Sequence, residues 1–255
     1  MIRDLSELRA LIFFKEVKMK RVAILVDGGF YRRTATHLFG KKSAEDRAKE
    51  LVNYCHRHLK DRNESIYLPD GKKIPARKEL YRIFYYDCAS ISKVLYHPLL
   101  KKNVDFSKTE TFKWTVDFLN SLKSKRKVAL RLGKLADSTA SFSLKNDIVK
   151  KLFNGTVQIS DITENDFELN LRQKGVDMKI GIDIATLAYK KLVDQIVLIS
   201  GDSDFVPAAK LARREGIDFV LDSMGNHISD DLLEHIDGLQ TYYKNIENNS
   251  DSEEE

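Results

Sequence analysis

Two carboxylates follow an apolar run in Val197-Leu198-Ile199-Ser200-Gly201-Asp202-Ser203-Asp204-Phe205, and a second apolar run, Val22-Ala23-Ile24-Leu25-Val26, ends at Asp27 ahead of Gly28-Gly29. Acids delivered at the ends of apolar strands suit a hard divalent cation, which takes oxygen ligands and, as Mg²⁺, needs only a few of them from the protein. Taken singly, each has a plainer explanation. Asp27 beside glycine is an ordinary turn former or helix cap, and Ser203 or Asp204 can cap a following helix. Asp177 is a first-turn acid that a helix dipole favours. Convergence tips the balance, because four or five carboxylates at one rim repel one another strongly without a cation.

Convergence has to come from the elements that carry these residues. Hydrophobic periodicity predicts helices over 31–38 and 44–59, a turn at 69–73, and an aromatic, β-branched strand over 80–88 with Asp87 at its end. A helical stripe over 111–122 and a strand over 128–132 follow, whereas 138–166 has no clear period. The last third predicts a helix over 176–192, a strand over 196–200, a helix over 206–215 with Pro207 in its first turn and Gly216 as its stop, and a strand over 217–221. Such alternation predicts an α/β fold: a mainly parallel central sheet flanked by helices, with ligands outside the carboxyl ends of the strands.

Helix and strand rises locate two further acids. About seven strand residues climb roughly 20 Å, and a helix needs about 13 residues to descend the same height. Counting back from Leu192 lands near Lys179, between Asp177 and Asp183. These two are separated by about 240° around the helix, so one is expected to reach a metal directly and the other through water.

Composition narrows the function classes. The 255 residues are 42% hydrophobic, enough for a sizeable core. The early apolar run from Leu11 to Phe14 is too short for a membrane span, so no membrane association is expected and the cytoplasm is the expected location. Cys55 and Cys88 have no paired spacing, and the stretch Cys55-His56-Arg57-His58 reads as a solvated basic helix in preference to a zinc site. Net charge is +5, yet five acids lie in the last nine residues, and without them the remainder carries +10. A body that basic favours a polyanionic partner. Residues 1–18 read as an amphipathic helical lead-in, 19–246 as the folded domain, and 247–255 as a disordered acidic tail.

The strand motif Ile24-Leu25-Val26-Asp27-Gly28, the segment Lys174-Gly175-Val176-Asp177 with Asp183 beyond it, and Leu198 to Phe205 together resemble the NYN domain, the LabA-like branch of the PIN-like nuclease superfamily. Asp230-Asp231-Leu232-Leu233 is similar to that family's closing helix. The resemblance implies a Rossmann-like, PIN-type sheet, an acidic pocket for Mg²⁺ or Mn²⁺, and metal-dependent ribonuclease activity on single-stranded or structured RNA. Asp27, Asp183 and Asp202 match the family's metal-binding and catalytic positions, with Asp177 and Asp204 in the motif beside them. Many members carry Asn where this chain has Phe30, which removes one polar contact. A family-variable insertion covers about 101–171.

For RNA the candidate contacts are Arg32 and Arg33 after the first motif, Ser200 and Ser203 in the second, and Arg126 and Lys127 in the basic cluster from Lys123 to Lys134. Arg213 and Arg214 form a further basic pair. Phosphate contacts of this kind make affinity fall with salt and do not specify sequence. Tyr31, Phe30 and Trp114 are aromatic candidates for base stacking, with core packing the competing role. Two other readings stand beside the nuclease. One is a catalytically weak or inactive regulatory protein of the same fold that binds nucleic acid or a protein partner, and Phe30 favours it; under either reading a homo-oligomer or a protein partner is a further expected association. The other is a phosphatase with a nucleophilic Asp-Xaa-Asp pair, which the Gly-Gly after Asp27 disfavours.

Overall fold

Five consecutive residues without solvent exposure, Val22 to Val26, require a strand covered on both faces. They form β1 (Arg21–Asp27) in the middle of a seven-stranded sheet. The computed structural model describes residues 19–67, 73–135, 140–171 and 173–242. The expected lead-in, the acidic tail and most of the turn at 69–73 lie outside the described residues.

In chain order the elements are β1, α1 (Gly28–Phe39), α2 (Ala44–Arg57), β2 (Lys60–Tyr67), β3 (Lys73–Arg77), β4 (Glu79–Cys88), β5 (Val94–His97), β6 (Lys102–Asp105), α3 (Glu110–Lys123) and β7 (Val128–Leu135). There follow β8 (Ser141–Leu144), α4 (Asn146–Phe153), β9 (Phe167–Asn170), β10 (Gln173–Lys174), α5 (Val176–Tyr189), β11 (Gln195–Ile199), α6 (Val206–Arg214), β12 (Asp218–Asp222), α7 (Asp230–Glu234) and β13 (Gly238–Leu239). The sheet order is β10-β7-β4-β1-β11-β12-β13. Six of these strands run parallel, and β10 pairs antiparallel at the β7 edge.

From β1 the chain steps outward through β4 and β7, then crosses back to β11 and steps outward the other way. Right-handed crossovers in opposite directions put their helices on opposite faces. Accordingly α1, α2 and α3 cover the face of Val22, Ile24 and Val26, whereas α5 and α6 cover the face of Ala23 and Leu25. Side-chain alternation assigns Asp27, two residues beyond Leu25, to the α5 face.

Local chemistry fixes the element boundaries. Asp27 Oδ1 accepts from the Phe30 amide at 3.1 Å, so α1 begins at Gly28, three residues before the start that periodicity predicts. A Cβ on Gly28 would lie 2.5 Å from the Tyr85 ring, which is why no other residue fits between the cap and β4. The described part of the stretch 138–166, followed on to residue 170, holds two short strands and a helix, with β8 pairing β9 across α4. Four-residue strands with a helix between them leave no continuous period to read. His97, 4% exposed, fastens β5 to this segment by tilted ring contacts with Phe142 at 4.3 Å and Phe167 at 4.9 Å.

The end of α2 corrects a sequence expectation. Cys55 and His58 are fully buried, so 55–58 is not a solvated basic helix. Asp222, at the end of β12, accepts from Tyr54 Oη at 2.6 Å and lies 2.9 Å from His58 Nε2. It also accepts from the Met224 amide at 2.8 Å and Thr241 Oγ1 at 3.1 Å. One buried carboxylate thus joins α2, β12 and the C-terminal segment. Deleting it strands several polar groups in a dry interior, so Asp222→Ala is expected to cost about 3 kcal/mol or more. In a thermal melt that is a fall of roughly 6–12 °C, and a shift within about 2 °C would show that the network carries little.

Candidate active site

Strand order reverses between β1 and β11, and parallel sheets open a crevice at the carboxyl ends of such a pair. Asp27 ends β1, and Ser200 to Asp204 leave β11. Ser200 is fully buried. Its Oγ lies 3.5 Å from Asp27 Oδ2 and accepts from the Asp202 amide at 3.3 Å. The hydroxyl therefore ties the two loops together, and its burial excludes the direct phosphate contact expected from sequence. Phe30 completes the tie, since a Cβ on Gly201 would lie 3.0 Å from the Phe30 ring. Phe30 thus acts as a wedge between the two loops.

Asp202 and Asp204 are exposed. Asp202 Oδ1 accepts from the Asp204 amide at 3.0 Å, capping a single 3-10 turn over Ser203–Phe205. Ser203 is exposed beside them and accessible to a ligand. Opposite this turn α5 begins at Gly175, whose φ of 79° is a left-handed value suited to glycine. The first turn of α5 presents Asp177 to the crevice. Partial burial raises the Asp177 carboxyl pKa above its ordinary value, and Asp202 and Asp204 raise it further. Burial likewise raises Asp27 and Asp177 adds repulsion, against the lowering influence of the Phe30 and Gly29 amides and of Arg33. Four of the five predicted acids therefore share one electrostatic neighbourhood.

Asp183 faces elsewhere, as a separation of about 240° requires. Its Oδ2 accepts from Tyr86 Oη at 2.8 Å and pairs with Arg131 Nε at 3.0 Å. Burial and Asp183 together push the Tyr86 phenol upward, which keeps it a donor. Arg131 lies over the Phe84 ring, 5.1 Å from the centroid. In register Asp27 pairs with Tyr86 and Tyr86 with Arg131, so this trio flanks Asp27 at the same level of the sheet.

The predicted basic contacts divide. Arg33 and Thr36 line an open cleft of about 730 Å³ with Asp27, Gly29, Arg32 and Asp177. Arg32 is committed in part to Asp87, 3.0 Å away and 1% exposed. Arg126 and Lys127 precede β7, at the amino ends of the strands, and Lys127 is spent on the Leu80 carbonyl and Glu79. Lys127 lies four residues before Arg131, about 13 Å down the strand. That places the pair on the rim opposite the acids and corrects the expectation that they meet substrate there. Arg213 pairs with Asp237 at 2.9 Å. Tyr31 is fully buried and donates to Glu50, which removes it as a stacking platform. Trp114 stacks on Phe118 at 5.1 Å.

Tyr86, Asp87 and Arg131 are the site residues that sequence reasoning left out. Asp87 was visible as a strand-end acid, and Arg131 lay within the basic cluster. Only the pairing of β4 with β7 distinguishes Arg131 from its basic neighbours.

The donor set of Asp27, Asp177, Asp202 and Asp204 is all oxygen and negatively charged, which fits Mg²⁺ or Mn²⁺ and not a soft metal. Asp231, Glu234 and His235 form a separate trio on α7, their ligand atoms all within 4.8 Å of one another. A raised carboxyl pKa means that the stability contributed by protonated Asp27 is complete below about pH 4 and is lost as pH rises through the folded-state value. Asn caps a helix as well as Asp does. Asp27→Asn is therefore expected to raise the metal-free Tm at pH 7, with the gain shrinking towards pH 4 and the stabilisation by millimolar Mg²⁺ abolished. A lower Tm at pH 7 without metal would contradict a cost, set by burial first and by Asp177 second, of keeping Asp27 ionised.

The NYN domain signature matches residues 103–241, a span that holds Asp177, Asp183, Asp202 and Asp204 and leaves out β1 with Asp27. No curated protein matches. Among solved structures, a protein of unknown function from Vibrio parahaemolyticus is similar over 89% of this chain and 94% of its own, at 14% identity and a TM-score of 0.43. No described helix is long and apolar enough to cross a membrane. With more than half of its length matched, the chain belongs to the NYN domain family, within the PIN-like nuclease superfamily.

Proposed function

We propose that the protein is a metal-dependent ribonuclease of the LabA-like type, hydrolysing RNA phosphodiester bonds with Mg²⁺ or Mn²⁺ as cofactor. The observation that carries this reading is the convergence of Asp27, Asp177, Asp202 and Asp204 at the switch point, where Asp177 repels Asp27 and is itself repelled by Asp202 and Asp204. These four are the residues proposed to hold the cation, with Asp183 acting indirectly from its pairing with Tyr86 and Arg131. Held by these carboxylates, a divalent ion would supply a water of lowered pKa and would offset charge developing on the phosphoryl oxygens.

The chain supplies the remaining requirements. Arg33, exposed on the first turns of α1, stands beside the acids and is suited to receive a phosphate. Arg131, stacked and ion-paired, holds Asp183 so that its charge does not add fully to the cluster. Ser200 and Phe30 keep the β1 and β11 loops at fixed separation, a precondition for a shared ligand.

Asp27→Asn and Asp202→Asn are each expected to reduce Mg²⁺- or Mn²⁺-dependent cleavage of RNA by about 100-fold or more while the fold is retained, since even residues behind a metal ligand cost roughly 10–100-fold. Arg131→Ala, which acts through Asp183, is expected to cost about 10-fold. Measurement is of initial cleavage rates on labelled single-stranded and hairpin RNA, with circular dichroism as the folding control. Full activity in both Asp variants would overturn the reading. Tight RNA binding without turnover in the wild type would instead favour the non-catalytic reading, for which the Phe30 wedge is the supporting feature.

A further inference from the structure

Beside the acidic cleft lies a second, smaller cavity of about 290 Å³ on the α3 side of the sheet. It is bounded by the end of β4, the following loop, the first turns of α3, and the strands of the insertion. The two cavities are contiguous, because Arg32 and Leu171 line both. Phe106 and Phe112 supply aromatic surface, and Ile91, Leu135 and Leu169 supply aliphatic surface. Arg32, Asp87, Ser90, Thr109, Thr111 and Thr115 add polar groups to this mainly apolar surface, as in sites that orient a small ligand within an apolar enclosure.

Those polar groups are also specific. Asp87 is 1% exposed and already accepts from Tyr85 Oη at 2.9 Å, the Cys88 amide at 2.8 Å and Arg32 Nη2 at 3.0 Å. That carboxylate fixes Arg32 and leaves little capacity of its own. The Arg32 side chain remains 27% exposed at other atoms, while its Nε is buried without a hydrogen-bond partner. A guanidinium carries five donors in a planar fork. Arg32 thus sits at the junction of the two cavities with donors to spare and a fixed orientation.

We propose, resting on the ribonuclease reading, that this cavity receives one unpaired nucleobase of the RNA strand whose neighbouring phosphate lies over Asp27 and Asp177. Size supports a single ring system, since the volume is at the lower end of small-ligand sites, which span about 300–1,000 Å³. Apolar walls with two phenylalanines suit the faces of a base, and the Arg32 fork suits acceptors on its edge. Contiguity with the acidic cleft makes the occupant part of the same strand as the scissile phosphate. A base inside the cavity has left any helical stack, so paired RNA must first extrude it at a cost of a few kcal/mol. The cavity therefore makes the enzyme selective for single-stranded segments, and the first turns of α3 with Phe106 and Leu169 become a specificity element.

The test is an abasic scan. A labelled ten-nucleotide RNA carrying a single abasic site at each position in turn is titrated into the full chain by fluorescence anisotropy in Ca²⁺. One position is expected to weaken binding about 10-fold, the rest two-fold or less. Phe112→Ala and Leu169→Ala, on opposite walls and both only partly buried, are expected to erase that position's penalty without altering the melting profile. Uniform effects at every position, or an unchanged penalty in folded variants, would overturn the proposal. The outcomes separate it from the nuclease reading. A position-specific penalty in a protein that cleaves nothing keeps the pocket and removes the activity. Acid-dependent cleavage with no favoured position keeps the activity and removes the pocket.

Discussion

Repulsion among carboxylates that the sheet forces to one rim is the constraint around which the rest of the structure is arranged. Asp27, Asp202 and Asp204 arrive on strands flanking the point where strand order reverses, and Asp177 arrives on the helix that returns to it. None of them can relax away, because β1 and β11 are pinned by parallel ladders over five residue pairs and their loops by Ser200 and Phe30. Partly buried carboxylates held this close to like charges have raised pKa values, and a cation between them would relieve both the burial and the repulsion.

Charges near that rim are handled by separation and pairing. Asp183 would add to the cluster if it faced the crevice, but it turns towards β4 and β7, where Tyr86 and Arg131 satisfy it. Asp87, at the end of the neighbouring strand, points to the opposite face and is neutralised by Arg32. Asp222, at the end of β12, is buried in a network with Tyr54, His58 and Thr241. Every strand of the central four therefore ends in or near an acid, and only those at the switch point keep their charge towards open solvent. The difference is one of side-chain parity and neighbours, not of residue type.

The segments on either side of β7 carry two small ladders, β5–β6 and β8–β9. His97 joins them by tilted ring contacts with Phe142 and Phe167, and residues of both segments wall the cavity beside the acidic cleft. Electrostatics at the rim and shape beside it thus meet at Arg32, which lines both cavities.

The sequence by itself determined the α/β class, the central strands and the rim that carries the acids, because apolar runs ending in Asp-Gly or Gly-Asp and the alternation with helical periods depend on local spacing alone. Helix rise also placed Asp177 and Asp183 near the right height and on different sides of α5. Tertiary structure alone decided which acids meet, since pairing of β4 with β7 aligns Arg131 with Tyr86 and hands Asp183 to them, while the direction of β7 carries Arg126 and Lys127 to the far rim. It also converted Ser200, Phe30 and Tyr31 from ligand candidates into packing and tethering groups, and His58 from a solvated residue into a buried partner of Asp222. Those outcomes rest on contacts between residues far apart in the chain, and no local period or charge pattern encodes which distant side chain will stand opposite.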